Sequence, residues 1–281
     1  MNELTSETQW FGCGLRAKMI VALTRWWPFR RGKSGVLRIL TRWFYQGRLP
    51  LRHLQGARLR VDVTEYLGQM LAQTGAFEPK TLALACTLMK DGGWFVDAGC
   101  NFGIYTCVLG SIPGCRVLAI DPSPKALAQL ELNLALNPAV DCTRMYAALT
   151  TTAQIVHLEV PSQNLGSTNT KTLTPGGDDQ KVLCCGIPAS QALEAAHCTP
   201  VQLLKIDIER GELSALRGWD WSEKGRPRNI LCEHLNLEME DVEAKMLFDF
   251  LISKNYQPFT VDGRPWNQSQ PLPECNLWWR G

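Results

Sequence analysis

The sequence has no acidic residue between Glu7 and Asp62, no C-x-x-C pair among its 11 cysteines, and no apolar run long enough to span a membrane. The missing cysteine pairs exclude a zinc ribbon and a thioredoxin-like redox site, and no other metal-ligand spacing is present, so no metal is expected. An odd, scattered set of cysteines, several of them in expected strands, argues against a disulfide framework and for a reducing, cytoplasmic setting. The most apolar early stretch, Met19 to Leu23, is cut short by Arg25. That length is far below a signal or membrane-spanning core, so a soluble or at most peripheral protein is expected. Twelve Lys and Arg fall in the acid-free interval, whereas beyond it 17 Lys and Arg face 25 Asp and Glu. The net charge of +2 therefore hides a basic N-terminal part and an acidic remainder.

What is present is enough apolar material, 45% of 281 residues, for one large α/β domain with an extension. Residues 1–64 are expected to form a basic and aromatic helical extension, and residues 65–281 the main domain. Within the extension, Val36 to Tyr45 has helical apolar spacing after a Gly-Lys-Ser-Gly loop at 32–35. That loop is no P-loop, because the upstream glycine and the preceding strand are missing. Three readings of residues 10–60 stand side by side: a solvated helix face, a peripheral membrane contact, and a cap over an active site. The cap is favoured.

From residue 79 strands and helices alternate. Pro79 opens a helix, Trp94 to Ala98 is a short buried strand, a helix starts at Ile104, and Arg116 to Ile120 is the next strand. Pro124 to Leu136 is a helix, followed by a strand near 143–149. Residues 150–186 read as an inserted hairpin whose polar loop spans 162–180. Gln191 to His197 is a helix, Val201 to Ile208 a strand, Glu212 to Arg217 a short helix and Asn229 to Cys232 a strand. A helix from Glu238 to Lys254 and strands at Gln257 to Val261 and Asn276 to Arg280 complete the chain. Such alternation predicts a mostly parallel sheet with helices on both faces and a ligand at the carboxyl ends of its strands.

The chemistry concentrates in three places. Phe95-Val96-Asp97-Ala98-Gly99-Cys100-Asn101-Phe102-Gly103-Ile104-Tyr105-Thr106 is an apolar strand ending in an acid, then a glycine loop opening a helix. About 20 residues on, Ile120-Asp121-Pro122 places a carboxylate where it can accept ribose hydroxyls. The order D-x-G-x-N-x-G puts an acid where a dinucleotide's pyrophosphate would be unwelcome. It suits a cofactor carrying an ammonium and a sulfonium, as S-adenosylmethionine does. Second, Lys205, Asp207 and Glu209 alternate at the end of an apolar strand. They form either a base for a hydroxyl acceptor or an internal salt bridge. Third, His234 ends the next strand, where it is either a proton-transfer group or a hydrogen-bonded structural residue.

On these residues, with Gly75-Ala76-Phe77-Glu78-Pro79 and Glu233-His234, the sequence resembles the FkbM family of S-adenosylmethionine-dependent methyltransferases over residues 65–260. The resemblance implies a Rossmann-like class I methyltransferase with a seven-stranded sheet, most often an O-methyltransferase of sugars and similar metabolites. It implies that Asp97, Gly99, Asn101 and Gly103, with Thr106 in the same element, hold the methionine portion, and Asp121 the ribose. It also implies that Lys205, Asp207 and Glu209 line the reaction centre around a small hydroxylated acceptor; His234 is added as a catalytic candidate from its place at a strand end. The reading from another class is a non-catalytic cofactor-binding or scaffold protein that uses the basic arm on a membrane surface or partner. No nucleic-acid module is recognisable.

Overall fold

The computed structural model describes residues 8–28, 31–160, 169–170, 180–233, 242–268, 270 and 276–281. The chain opens with β1 (Trp10–Gly12), α1 (Leu15–Arg25), α2 (Lys33–Tyr45), β2 (Arg48–His53), β3 (Arg58–Asp62) and α3 (Tyr66–Thr74). Next come α4 (Pro79–Leu88), β4 (Gly93–Ala98), α5 (Ile104–Gly110), β5 (Cys115–Ile120), α6 (Pro124–Leu134) and β6 (Asp141–Met145). Four short or inserted strands follow: β7 (Ala148–Leu149), β8 (Gln154–Val160), β9 (Asn169–Thr170) and β10 (Gln180–Ile187). The last third holds α7 (Ala189–Ala195), β11 (Val201–Ile206), α8 (Glu212–Arg217), β12 (Asn229–Glu233), α9 (Val242–Ser253), β13 (Gln257–Thr260) and β14 (Asn276–Arg280).

The central sheet has the order β13-β14-β12-β11-β4-β5-β6. Five of its strands pair in parallel, and β14 runs antiparallel between β12 and β13. Successive residues of each strand serve opposite faces. Phe95, Val117, Leu203 and Leu231 pack on one face with α4, α5 and α6, while Val96, Leu118, Leu204 and Ile230 pack on the other with α7, α8 and α9. Strands buried on both faces read as mostly apolar runs, and β4, β5 and β11 do so apart from Asp97, Arg116, Gln202 and Lys205. The strand order reverses between β4 and β11. Their carboxyl ends therefore border the crevice where such a sheet takes its ligand.

The inserted segment forms a second sheet, β7-β10-β8-β9, built on the antiparallel β8–β10 pair. The expected hairpin is present. Most of the 162–180 loop lies outside the described residues, as does the start of the helix expected from Glu238. Among the described residues the ten cysteines are free thiols, six of them buried.

Residues 10–62 differ from the helical expectation. They carry a three-stranded antiparallel sheet, β1-β2-β3, besides α1 and α2. Leu49, Leu51, Leu59 and Val61 alternate inward with outward Arg48, Arg52, Arg58 and Arg60, a period of two that only a strand can use. The inward residues share one buried cluster with Phe95 and Val117 of the central sheet. The β3 backbone is also tied to α6: Arg58 N donates to Asn137 Oδ1 at 2.9 Å and Arg60 N to Asn133 Oδ1 at 2.8 Å. Not every cation faces water. The Arg25 guanidinium turns inward to donate to the Trp10 carbonyl at 2.7 Å, and burial lowers its pKa to about 10. The 32–35 loop is shorter than expected, since α2 starts at Lys33.

Candidate active site

At the end of β4, Asp97 is buried and accepts a 2.6 Å hydrogen bond from Thr106 Oγ1 on α5. Burial raises its pKa to about 6, partly opposed by the Thr106 hydroxyl and by Lys205. The chain then turns back on itself. Gly99 has φ 83°, and a Cβ there would meet the Asp207 carbonyl oxygen at 1.9 Å. Only glycine lets β4 and the chain beyond β11 approach so closely. Gly103, at φ 89°, starts α5.

Between these glycines Asn101 takes a left-handed backbone, φ 48°, and its N–H donates to Asp121 Oδ2 at 2.9 Å. Ser123 N donates to the other Asp121 oxygen at 2.8 Å. Burial nevertheless raises the Asp121 pKa to about 6. The Asn101 side-chain oxygen is buried and has no hydrogen-bond partner. A buried acceptor without a donor is costly, which makes this atom a natural point for a ligand's donor.

Across the crevice, Lys205 lies beside Asp97 in the β4–β11 register. Its ammonium is buried, 2.8 Å from Asp207 Oδ2 and 4.0 Å from Glu78 Oε2, and sits 4.9 Å from the centre of the Tyr105 ring. Burial alone would lower its pKa, but Asp207, Glu78 and Asp97 together hold it above the ordinary lysine value. β11 ends at Ile206, two residues earlier than expected, so the three charged residues do not all project from one strand. Asp207 N–H still bonds the Ala98 carbonyl at 3.1 Å. Glu209 and Arg210 then turn with φ 54° and 76°. Such backbone strain tends to persist where surrounding structure fixes it for a purpose.

Asp207 and Glu233 face each other closely enough that each carboxyl shifts the titration of the other. Both are held back from ionising by burial. The Lys205 charge outweighs this for Asp207 and keeps its pKa low, while Glu233, facing the ionised Asp207, has its pKa raised. The two carboxyls therefore titrate as a coupled pair, in which Glu233 is the more readily protonated. Glu209 is also raised, by burial and then by Asp207.

These groups line one cavity of about 230 Å³, together with Tyr66, Leu67, Phe77, Ile104 and Tyr105. Asp97, Gly99, Asn101, Lys205, Asp207 and Glu209 all line it, whereas Gly103, Thr106 and Asp121 support its wall from behind. His234 lies outside the described residues. Three lining groups, Glu78, Tyr105 and Glu233, stand in the motifs quoted from the sequence but were given no role in the site there. Tyr105 Oη donates to Glu78 Oε2 at 2.6 Å, which links α5 to the turn before α4. Nor do residues 10–60 cap this cavity among the described residues; Tyr66 and Leu67 of α3 take that place.

A reversed strand order, an acid at the end of β4, a glycine loop and a second acid at the end of β5 define a Rossmann-like class I methyltransferase. The chain belongs to the FkbM family of methyltransferases: the model of the methyltransferase FkbM domain matches residues 97–258, more than half its length. Among solved structures it is similar to cofactor-bound Rv0187 from MTB, with 12% identity, a TM-score of 0.45, and 73% of this chain and 80% of that one covered. It is also similar to the O-methyltransferase from Bacillus cereus in complex with SAH, with 11% identity, a TM-score of 0.42, and 73% and 80% covered. A third, the O-methyltransferase TomG from Streptomyces achromogenes in complex with SAM, has 8% identity, a TM-score of 0.43, and 77% and 86% covered. No curated protein matches the chain.

Proposed function

We propose that the protein transfers a methyl group from S-adenosylmethionine to a hydroxyl of a sugar or another small metabolite. The observation that carries this reading is the charge of the cavity. Five carboxyl groups, those of Glu78, Asp97, Asp207, Glu209 and Glu233, surround a single ammonium, that of Lys205. Such a lining favours a cationic ligand over a pyrophosphate. S-adenosylmethionine supplies a methyl group activated on a cationic sulfur and brings an ammonium as well. The residues fit it: the unpartnered Asn101 oxygen would accept from the ammonium, Asp97 and bare Gly99 would border the methionine portion, and Asp121, which lies behind the lining loop and bonds Asn101 N, is the carboxylate that would reach the ribose hydroxyls.

The chain's own contribution is to place the acceptor and to handle its proton. We assign to Asp207, which Lys205 holds at 2.8 Å and keeps ionised and which lines the cavity, the acceptance of a hydrogen bond from the acceptor hydroxyl and of its proton. Lys205 holds that carboxylate in place and keeps it charged. Glu209, with a raised pKa, is a second carboxyl lining the cavity. Positioning alone supplies much of the acceleration in reactions of this kind, up to about 7–11 kcal/mol in favourable cases. The free thiols fit a reducing compartment, the cytoplasm. Among the described residues, no helix is long and apolar enough to cross a membrane.

The test is a screen of hydroxylated sugars and small metabolites with methyl-labelled S-adenosylmethionine. Label should enter an ether linkage in at least one acceptor class and should be absent with the Asp207→Asn protein. Label in amine or carboxyl acceptors alone would overturn the hydroxyl assignment.

A further inference from the structure

The outer face of the N-terminal helices is strongly apolar. On α1, Leu15, Met19 and Leu23 are exposed, and so is Trp26 at its C-cap, at spacings of four, four and three residues. That spacing puts them on one stripe of the helix, opposite buried Ala17, Ile20, Val21 and Thr24. On α2, Ile39 and Trp43 stand one turn apart, and Trp43 is 82% exposed, against 76% for Leu15 and 66% for Trp26. The two helices pack side by side on β2, so both outer faces look away from the body of the protein. Arg16 bridges them, its guanidinium 5.6 Å from the centre of the Phe44 ring.

Water is a poor partner for so many large side chains in one place. The charges beside them point to the partner. Arg16 and Lys18 flank the α1 stripe, Arg38 and Arg42 lie on the exposed face of α2, and no acid occurs in residues 8–61. Apolar side chains that include tryptophans, with the cations of the same two helices beside them, match the boundary between anionic headgroups and acyl chains. A second copy fits poorly, because a symmetric contact would bring the same cations together with no local acid to pair them. Nucleic acid would engage the cations and leave Leu15, Met19 and Leu23 without a role.

We propose that the α1–α2 face docks the protein on an anionic lipid surface, with Leu15, Met19, Leu23, Trp26, Ile39 and Trp43 entering the interface and Arg16, Lys18, Arg38 and Arg42 contacting the headgroups. The active-site cavity draws no lining residue from either helix, so docking leaves it free. The surface is independent of the methyl-transfer chemistry.

Co-sedimentation of the full chain with vesicles tests this. One set is pure phosphatidylcholine; the other has three parts phosphatidylcholine to one part phosphatidylserine. The protein should pellet with the serine-containing vesicles and be released by high salt. Arg38→Gln/Arg42→Gln should lower that partitioning about ten-fold or more, at the usual contribution of a cation near an anionic surface. Leu15→Ser/Trp43→Ser should abolish it. All four positions are exposed, so thermal unfolding and S-adenosylmethionine binding should match the parent protein. Equal partitioning into both vesicle types, or no effect of either double variant, would overturn the proposal. So would a dimer that the Leu15→Ser/Trp43→Ser change dissociates, or binding to RNA in place of vesicles.

Discussion

Lys205 Nζ lies 2.8 Å from Asp207 Oδ2 and 4.0 Å from Glu78 Oε2, so one buried ammonium compensates several acids gathered at the sheet's switch point. Removing it leaves those acids facing one another in a poorly solvated crevice. Lys205→Met should destabilise the fold by about 3–5 kcal/mol at neutral pH, as breaking a buried pair does. The loss should shrink as the pH falls, because protonation relieves the orphaned carboxylates. Urea unfolding at two pH values checks this, and a pH-independent loss would argue against the electrostatic account.

Asp207→Asn removes the group proposed to take the acceptor's proton and replaces it with a side chain of the same shape. Turnover should be abolished while the Kd for S-adenosylmethionine stays within a few-fold. Methyl incorporation and calorimetric titration on the same preparation separate the two effects. A fully active variant would transfer the role to Glu209 or His234.

Asp97 and Asp121 set a pH dependence with an unusual sign. Both have folded pKa values near 6, against an ordinary value of 3.8. Between those values the folded protein holds protons that the unfolded chain has released. Without ligand, the contribution of these two groups should therefore make the protein more stable as the pH falls from above 6 towards 4. Cofactor affinity should move the other way, weakening below about pH 6 as the carboxylates that receive it become neutral. Thr106→Val deletes the donor that favours the ionised Asp97. It should shift the affinity midpoint to higher pH, as titrations across the range would show.

Gly99→Ala tests the close approach of the glycine loop to the turn after β11. The added Cβ would collide with the Asp207 carbonyl, a backbone atom, at a positive φ that disfavours any side chain. A cost of at least about 1–3 kcal/mol is expected from the strained backbone alone. Cofactor binding should be lost with it. Unchanged thermal stability would show that the loop can relax away from Asp207.

How much of this was readable beforehand depended on how local the signal was. β4, β5 and β11 are apolar on both faces and short, so their runs identify parallel central strands, and the acid-glycine loop between β4 and α5 lies within one continuous stretch of sequence. Glu78 and Tyr105 stand in quoted motifs, but nothing in those motifs says that the two meet at one lysine. They reach Lys205 from α4 and α5, and only tertiary packing brings them together. Glu233 was one step from legible: the register pairs Ile206 with Cys232, so Glu233, the last residue of β12, falls level with Asp207. In the N-terminal part the alternation of Leu49, Leu51, Leu59 and Val61 with arginines was a strand signal. The surrounding aromatic and basic residues, read as helical, obscured it.

The most direct test of the account is calorimetric titration of the purified chain with S-adenosylmethionine, repeated on Asp121→Ala. Saturable binding by the parent and its loss in the variant are the predicted results. No heat of binding and no thermal stabilisation at saturating cofactor would contradict the account, leaving a methyltransferase fold whose cavity does not receive the methyl donor.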